Sequence, residues 1–178
     1  METLFASAPG FDQPLAVLKH CHDKIRKQLA TLEKLPPHLA AYGADADAQQ
    51  AANAIRRYFN QAAPLHHEDE EINLLPMLEV TARGDDATLL SELMPGILKE
   101  HLQMQTLWHS LDKQLESIAA GTSAALADDE VRQFCDMYTQ HMLTEESHIA
   151  PMAKRLFSDA QMDKLGSAMQ QRRGISAC

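Results

Sequence analysis

Residues 59–77 read FNQAAPLHHEDEEINLLPM, and residues 134–152 read FCDMYTQHMLTEESHIAPM. The two stretches share the pattern F-x6-H-x3-E-E-x4-P-M, and every shared residue is displaced by 75 positions. Residues four apart on an α-helix lie about 40° apart around the axis and one turn apart in height, so a histidine and a glutamate at this spacing can reach one metal ion. Two such pairs in one small helical chain predict a site for two metal ions.

The composition favours a helical protein of one ordinary domain. The chain has 178 residues, of which 45% are apolar and only 5% aromatic, and its common residues are good helix formers. The net charge of −9 argues against nucleic acid as a partner, because phosphate binding requires clustered Lys and Arg. We expect no membrane span, because no apolar stretch reaches about 18 residues. Three cysteines and an N-terminus unlike a secretory signal favour the cytoplasm.

The spacing of apolar residues predicts four long helices and a short fifth. The first should begin at Pro14 with Asp12 as its cap, and should end near Leu35 because Pro36-Pro37 cannot continue it. The others should span about 45–80, 87–119, 128–157 and 158–172. We expect Pro64 and Pro76 to kink or distort the second helix, Pro95 to bend the third, Asp128 or Asp129 to cap the fourth, and a Ser-Asp-Ala-Gln pattern to start the fifth.

The predicted fold is all-α, an up-down-up-down antiparallel four-helix bundle with a short extra C-terminal helix. Short connections make successive helices antiparallel neighbours. We expect a single domain over residues 1–178, with the bundle at about 14–157, the extra helix at about 158–172 and a mobile tail at 173–178. The first and third helices resemble each other at a displacement of 79, which pairs His22 with His101. The bundle therefore consists of two similar helix pairs.

Each long helix carries one histidine in the middle of its apolar face, and these are His22, His66, His101 and His141. A single such histidine is usually a core residue with a hydrogen-bond partner, but four in one layer need a common partner. Glu70 and Glu145 lie one turn away on the same faces, where no Lys or Arg neutralises them. The set suits two metal ions bridged by carboxylates, with iron, manganese or zinc favoured over calcium.

Four further residues near this layer have two interpretations each. His67 lies about 100° around the helix from His66, so it is either a fifth imidazole ligand or a partly exposed histidine behind the ligands. Glu71 and Glu146 lie about 140° from their histidines, and we expect them to be solvated or hydrogen-bonded to the ligand imidazoles. His148 is expected on the inward face, either as a polar contact below the site or as an ordinary packed histidine.

The segments HHEDEEINLLPML and HMLTEESHIAPMA resemble the H-x3-E-E…P motifs of the hemerythrin-like, HHE cation-binding family. CHDKIRKQL and KEHLQMQTLWHSL resemble the ligand regions of its first and third helices, so the resemblance covers about residues 14–157. It implies a four-helix bundle with a non-haem di-iron centre and an oxo or hydroxo bridge, with manganese or zinc as alternative metals. The ligands that it implies are His22, His66, Glu70, His101, His141 and Glu145.

The chain departs from the oxygen-carrying hemerythrins in two places. Those proteins have two histidines four apart on the third helix, whereas Gln105 follows His101 here. They also have H-x4-D on the last helix, where this chain has His141-x3-Glu145. The pattern is similar to that of the bacterial HHE subgroup and of related iron-sensing domains, which disfavours a dedicated oxygen carrier. We hypothesise that His67 supplies the fifth imidazole from a different helix.

Six or seven protein ligands on two six-coordinate ions leave at least one position open. The favoured function is therefore to bind or sense O2, NO, peroxide, or iron or redox state, with a separate signalling partner in the case of a sensor. The alternatives are a di-iron enzyme that reduces peroxide or NO, an iron storage or delivery protein, and a metal-free interaction module. No oligomeric state is predicted.

Overall fold

Helices account for nearly all of residues 8–175, which are the residues that this computed structural model describes. The helices are α1 (Pro14–Tyr42), α2 (Ala46–Glu68), α3 (Leu75–Thr81), α4 (Asp85–Ala119), α5 (Asp128–Thr144), α6 (Ala150–Leu156) and α7 (Asp159–Arg172). A first π segment (Asp69–Leu74) joins α2 to α3, and a second π segment (Glu145–Ile149) joins α5 to α6. No helix within residues 8–175 is both long enough and apolar enough to cross a lipid bilayer.

Four helical rods form a closed antiparallel ring. The rods are α1, α2–α3, α4 and α5–α6; α1 packs on α2 and α5, and α4 packs on the same two helices. The connections at residues 43–45, 82–84 and 120–127 are short, so successive rods run in opposite directions. The predicted all-α four-helix bundle with an extra C-terminal helix is confirmed.

A π turn interrupts each of the two rods that carry the repeated motif. In each rod the residue before the motif proline donates its backbone N–H to the backbone carbonyl of the first motif glutamate, five residues earlier. The donors are Leu75, to Glu70, and Ala150, to Glu145. Pro76 and Pro151 follow directly, and a proline has no N–H and clashes with the carbonyl four residues before it. The expected distortion at Pro76 is confirmed, and the repeat gives the other rod the same turn. At Pro64, by contrast, α2 continues without interruption.

The predicted end of the first helix near Leu35 is wrong. Although α1 contains Pro36 and Pro37, it continues to Tyr42. Leu39 is buried with an exposed fraction of 5%, so the last turns still pack against the bundle. The helix stops at Gly43, which has φ of 68° and donates its N–H to the carbonyl of Leu39 at 2.9 Å.

Two of the predicted carboxylate caps are also wrong. No side chain caps α1, although Asp12 lies just before it, and no side chain caps α5. Asp128 and Asp129 form ion pairs with Arg132 within their own helix instead. The helix already begins at Asp128, so Ala127 and neither aspartate occupies the N-cap position.

The bundle core consists of two apolar clusters separated by a layer of buried histidines and glutamates. Apolar residues of α1 after His22, such as Ile25 and Leu29, belong to one cluster, and those before it, such as Val17 and Leu18, belong to the other. The same division holds on α4 around His101. The polar layer therefore lies at the middle of the bundle.

Helix α7 packs over the end of the second apolar cluster. It begins at a capping box formed by Ser158 and Gln161, as the sequence predicts. Leu165 and Met169 are fully buried against that cluster. Arg173, at the start of the stretch predicted as a mobile tail, is held by an ion pair with Asp69 and so differs from that prediction; residues 176–178 lie outside the described residues.

We predict that Phe134→Ala lowers the free energy of unfolding by about 3–5 kcal/mol, because it leaves a cavity in the core. Phe134 is fully buried, and its ring centroid lies 5.1 Å from that of Phe59 and 5.0 Å from that of Tyr138. Urea denaturation of the metal-free protein measures the change. Leu143→Ala on the same helix is the control, since Leu143 is 55% exposed and should change stability by about 0.5 kcal/mol at most. Equal losses would contradict the placement of Phe134.

Candidate metal centre

All four rods contribute side chains to two groups of possible metal ligands at the middle of the bundle. The first cluster is His22, His66, Glu70 and Glu145, and the second cluster is His67, Glu70, His101 and His141. In each cluster one donor atom from every residue lies within 4.8 Å of the others. All seven residues are buried except His67, which is half-buried. The structure thus brings together the six predicted ligands and His67.

The two carboxylates lie between the clusters. Glu70 directs Oε1 toward Nε2 of His66 at 3.1 Å and Oε2 toward Nε2 of His101 at 3.5 Å. Glu145 directs Oε2 toward Nε2 of His22 and Oε1 toward Nε2 of His141, both at 3.2 Å. Each carboxylate therefore presents one oxygen to either side, which is the geometry of a bridging ligand.

Several buried polar atoms of these clusters have no hydrogen-bond partner among the described residues. They are Nε2 of His22, Nδ1 of His66, Nε2 of His67, Oε2 of Glu70 and both carboxylate oxygens of Glu145. Buried polar atoms are almost always paired, and an uncompensated buried carboxylate is strongly destabilising. A metal cation at each cluster would bind most of these lone pairs. A mixed nitrogen and oxygen donor set suits iron, manganese or zinc, so the residues fit a pair of such ions.

Carboxylates outside the clusters hold three of the imidazoles in place. Nδ1 of His22 lies 2.9 Å from Glu146, and Nδ1 of His101 lies 2.6 Å from Glu71. An imidazole that donates its Nδ1 proton to a carboxylate keeps the Nε2 lone pair free for a metal. Of the two environments expected for Glu71 and Glu146, the structure shows the hydrogen-bonded one.

Glu100 has the same role for His141, and sequence reasoning missed it. Its Oε2 lies 2.8 Å from Nδ1 of His141. The contact joins α4 to α5, so no spacing within one helix could reveal it. The available signal was that Glu100 directly precedes His101. Adjacent residues of an α-helix point about 100° apart, so the side chain of Glu100 can reach a neighbouring rod while His101 faces the centre.

The prediction that His148 faces inward is wrong, because His148 is exposed. It lies in the second π segment, where each residue advances by a smaller angle than the 100° of an α-helix. Ile149 occupies the buried position instead, with an exposed fraction of 1%. The π turn therefore changes the face of every residue that follows Glu145 within this segment.

The titratable groups of the clusters compete for protons when no metal is bound. Burial works to lower the pKa of His22, but the nearby carboxylates of Glu145 and Glu70 outweigh that effect and raise the pKa to about 10. The pKa of His141 is raised to about 9, because the nearby carboxylate of Glu145 outweighs the effect of burial. Burial keeps the pKa of His66 and of His67 well below the usual value. Metal binding would displace the protons from His22 and His141.

The pseudo-symmetry of the two helix pairs has three exceptions near the site. At the displacement of 75, His67 corresponds to Met142 and Asp69 to Thr144; at the displacement of 79, Cys21 corresponds to Glu100. The second cluster consequently has three imidazoles and the first has two. His66, the counterpart of His141, has no partner for its Nδ1 in the part of the chain that the structure describes, as expected where Cys21 replaces a carboxylate.

Two open pockets flank the clusters. One has a volume of about 220 Å³ and is lined by His67 and His101 of the second cluster together with Gln105, Trp108 and Tyr138. The other has a volume of about 600 Å³, and its lining includes Cys21 and Leu65, which directly precede His22 and His66. Its charged lining residues are Lys24, Lys27 and Arg173, and no carboxylate is among them.

Comparison with known proteins agrees with this geometry. The family model described as the hemerythrin HHE cation binding domain matches residues 13–153, a range that contains every residue of both clusters. An uncharacterized protein of Haemophilus influenzae is 28% identical over 165 residues, which cover 93% of this chain and 92% of that protein. The resemblance found in the sequence motifs is confirmed, and the chain belongs to the hemerythrin HHE cation-binding domain family.

Proposed function

We propose that this protein holds two iron ions, one at each cluster, and binds or senses O2, NO or peroxide at an open metal position. The observation that supports this proposal is the pair of clusters with Glu70 in common, whose donor atoms lie within 4.8 Å of one another in each cluster. The buried atoms without partners in the same clusters support it as well. Its partner would be a small diatomic or peroxidic molecule, and its cytoplasmic location stays a prediction.

The number of donors differs between the clusters and suggests where the open position lies. If both carboxylates bridge, the ion at the second cluster has five protein ligands, because three imidazoles are present there. The ion at the first cluster has four, from His22, His66, Glu70 and Glu145. The pocket of about 600 Å³ is lined by the chain neighbours of two of these ligands, Cys21 and Leu65, and by none of the four ligands themselves. Bound iron would supply the redox chemistry and the open position for the incoming molecule.

The side chains around the first cluster control water and protons. The two apolar clusters above and below the polar layer limit the access of water to it. Glu146, whose side chain is 24% exposed, joins buried His22 to the surface through the Nδ1 contact and also accepts from Arg26 at 2.8 Å. This pair therefore provides a route for protons between solvent and the first cluster.

The proton route favours a second function, reduction of peroxide or NO, since such reactions consume protons. Reduction of one hydrogen peroxide to two waters takes up two protons and two electrons, which two ferrous ions would supply and an added one-electron reductant would restore. Consumption of that reductant during turnover of hydrogen peroxide by the iron-loaded protein would distinguish this enzyme from reversible binding. We expect Glu146→Gln to slow such turnover while two irons per chain remain. Glu130→Gln is the matched control, because Glu130 binds Ser110 and Gln114, outside both clusters. Absence of turnover in the unaltered protein would leave reversible binding or sensing as the function.

We predict that the protein loaded anaerobically with ferrous iron retains two irons per chain, and that air produces a near-ultraviolet charge-transfer band. Metal analysis and an optical spectrum measure both quantities. Removal of the iron with a chelator should lower the unfolding temperature, because a ligand that binds only the folded state stabilises it. One zinc per chain, or no metal with unchanged stability, would contradict the proposal and favour a metal-free interaction module.

His67→Ala should reduce the bound iron from two ions toward one, because it removes the third imidazole of the second cluster. His67 stacks on His101 with ring centroids 4.1 Å apart, and its Nε2 has no protein partner. His148→Ala is the control, since His148 is exposed, and it should retain two irons. A His67→Ala protein with two irons and an unaltered spectrum would show that His67 is not a ligand.

A further inference from the structure

A buried ion pair joins the extra C-terminal helix to the segment that carries Glu70. Asp69 is fully buried, with an exposed fraction of 0%, and its carboxylate contacts two arginines at the end of α7. Arg173 donates from Nη2 to Oδ2 of Asp69 at 2.6 Å, and Arg172 donates from Nη1 to Oδ1. Because a single buried carboxylate without these partners would be strongly destabilising, the contact ties α7 to the first π segment.

Arg172 extends the same contact along the first π segment. Its Nη2 donates to Oδ1 of Asn73 at 2.7 Å, and its Nε lies 3.2 Å from a carboxylate oxygen of Glu68. The guanidinium thus contacts residues on both sides of Glu70 in the chain. Planar guanidinium groups fix such multiple acceptors with defined geometry. The backbone that positions the Glu70 carboxylate is therefore held from outside the bundle.

The second π segment has no equivalent of this contact. The residue that corresponds to Asp69 at the displacement of 75 is Thr144, whose hydroxyl donates to the carbonyl of Gln140 in its own helix at 3.1 Å. Within residues 8–175, no ion pair joins α7 to the second π segment. Helix α7 therefore contacts the segment that carries Glu70, whereas the segment that carries Glu145 has no ion pair with α7 among the described residues.

Packing contacts along α7 hold in place the helix from which the two arginines project. In α7, Gly166 approaches the backbone so closely that a Cβ there would lie 1.9 Å from the carbonyl oxygen of Phe11. Leu165 and Met169 are fully buried, and Gln161 donates to the hydroxyl of Thr81 at 2.8 Å. The start and the middle of α7 are thus held against α3 and the segment before α1.

We infer that Arg172 and Arg173 are positioning residues of the metal centre, which hold Asp69 so that both oxygens of Glu70 face the two clusters. The inference rests on the proposed function, since it assumes that Glu70 bridges two metal ions. Loss of the ion pair would leave the π turn free to relax, and the bridging oxygens of Glu70 would lose their alignment. Outer groups that orient ligands typically change metal affinity by about 10-fold to 100-fold when altered.

The test compares Asp69→Asn with Asp86→Asn in the full-length chain loaded with ferrous iron. Asp86 pairs with Arg155 between α4 and α6 and contacts neither cluster, so its loss reports the effect of an ion pair alone. The measurements are the rate of iron release to a chelator at 25 °C, the near-ultraviolet spectrum, and the unfolding of metal-free and iron-loaded protein. We expect Asp69→Asn to release iron about 10-fold to 100-fold faster, with an altered spectrum, and Asp86→Asn to release iron at the unaltered rate.

The possible outcomes distinguish failure of the positioning role from failure of the proposed function. If the unaltered protein binds no iron, the proposed function fails and this inference fails with it. If the unaltered protein binds two irons but Asp69→Asn releases them at the same rate as Asp86→Asn, only the positioning role is overturned. A loss of stability that is equal in the metal-free and iron-loaded proteins, with an unchanged release rate, also overturns it.

Arg172→Gln provides a second variant in case Asp69→Asn does not fold. It removes the contacts of Arg172 with Asp69, Asn73 and Glu68 but leaves the pair of Arg173 with Asp69 in place. Arg172→Lys, which keeps the charge without the planar fork, should release iron more slowly than Arg172→Gln. Release of iron from both variants at the unaltered rate would overturn the positioning role.

Discussion

The structure depends on two carboxylates, Glu70 and Glu145, which are buried in the middle of a helical core and contact no lysine or arginine within residues 8–175. Carboxylates in such a place need positive charge, and the imidazoles around them provide it through protons or through metal cations. This constraint explains why the apolar core is divided into two clusters with a polar layer between them. It also explains why all four rods, and not one or two, contribute to the layer.

Helical periodicity was sufficient to predict the fold and six members of this layer, whereas it left two interpretations open for His67. The i, i+4 spacing of His66 and Glu70 is local, and it holds because α2 is regular as far as Glu68 and the π segment begins at Asp69, one residue before Glu70. Positions after the π turns were harder to predict, as the exposed His148 shows. Contacts between rods, such as that of Glu100 with His141, have no signature within one helix. The end of α1 was missed because burial of Leu39 outweighs the effect of Pro36 and Pro37.

Departures from the repeat make the two halves of the site unequal. A strictly two-fold site would give both metal ions the same donors, and nothing would direct an incoming molecule to one of them. Here His67 occupies the position that Met142 has in the other half, and Cys21 occupies the position that Glu100 has. The first cluster therefore has fewer imidazoles and lacks the carboxylate that would orient His66. If two ions occupy the clusters as proposed, their different donor sets would direct an incoming small molecule to one of them.

The rod that contains α2 carries the largest share of the site and also contacts α7 through the Asp69 ion pair. His66 and His67 point about 100° apart, and α2 packs between α1 and α4, so the two rings reach different clusters from adjacent residues. With Glu70, the rod that contains α2 supplies three of the seven side chains of the site. A shift of this rod would disturb both clusters, whereas a shift of α1 would move only His22. Contact of α7 with the first π segment, through Asp69, thus stabilises the part of the bundle on which both clusters depend.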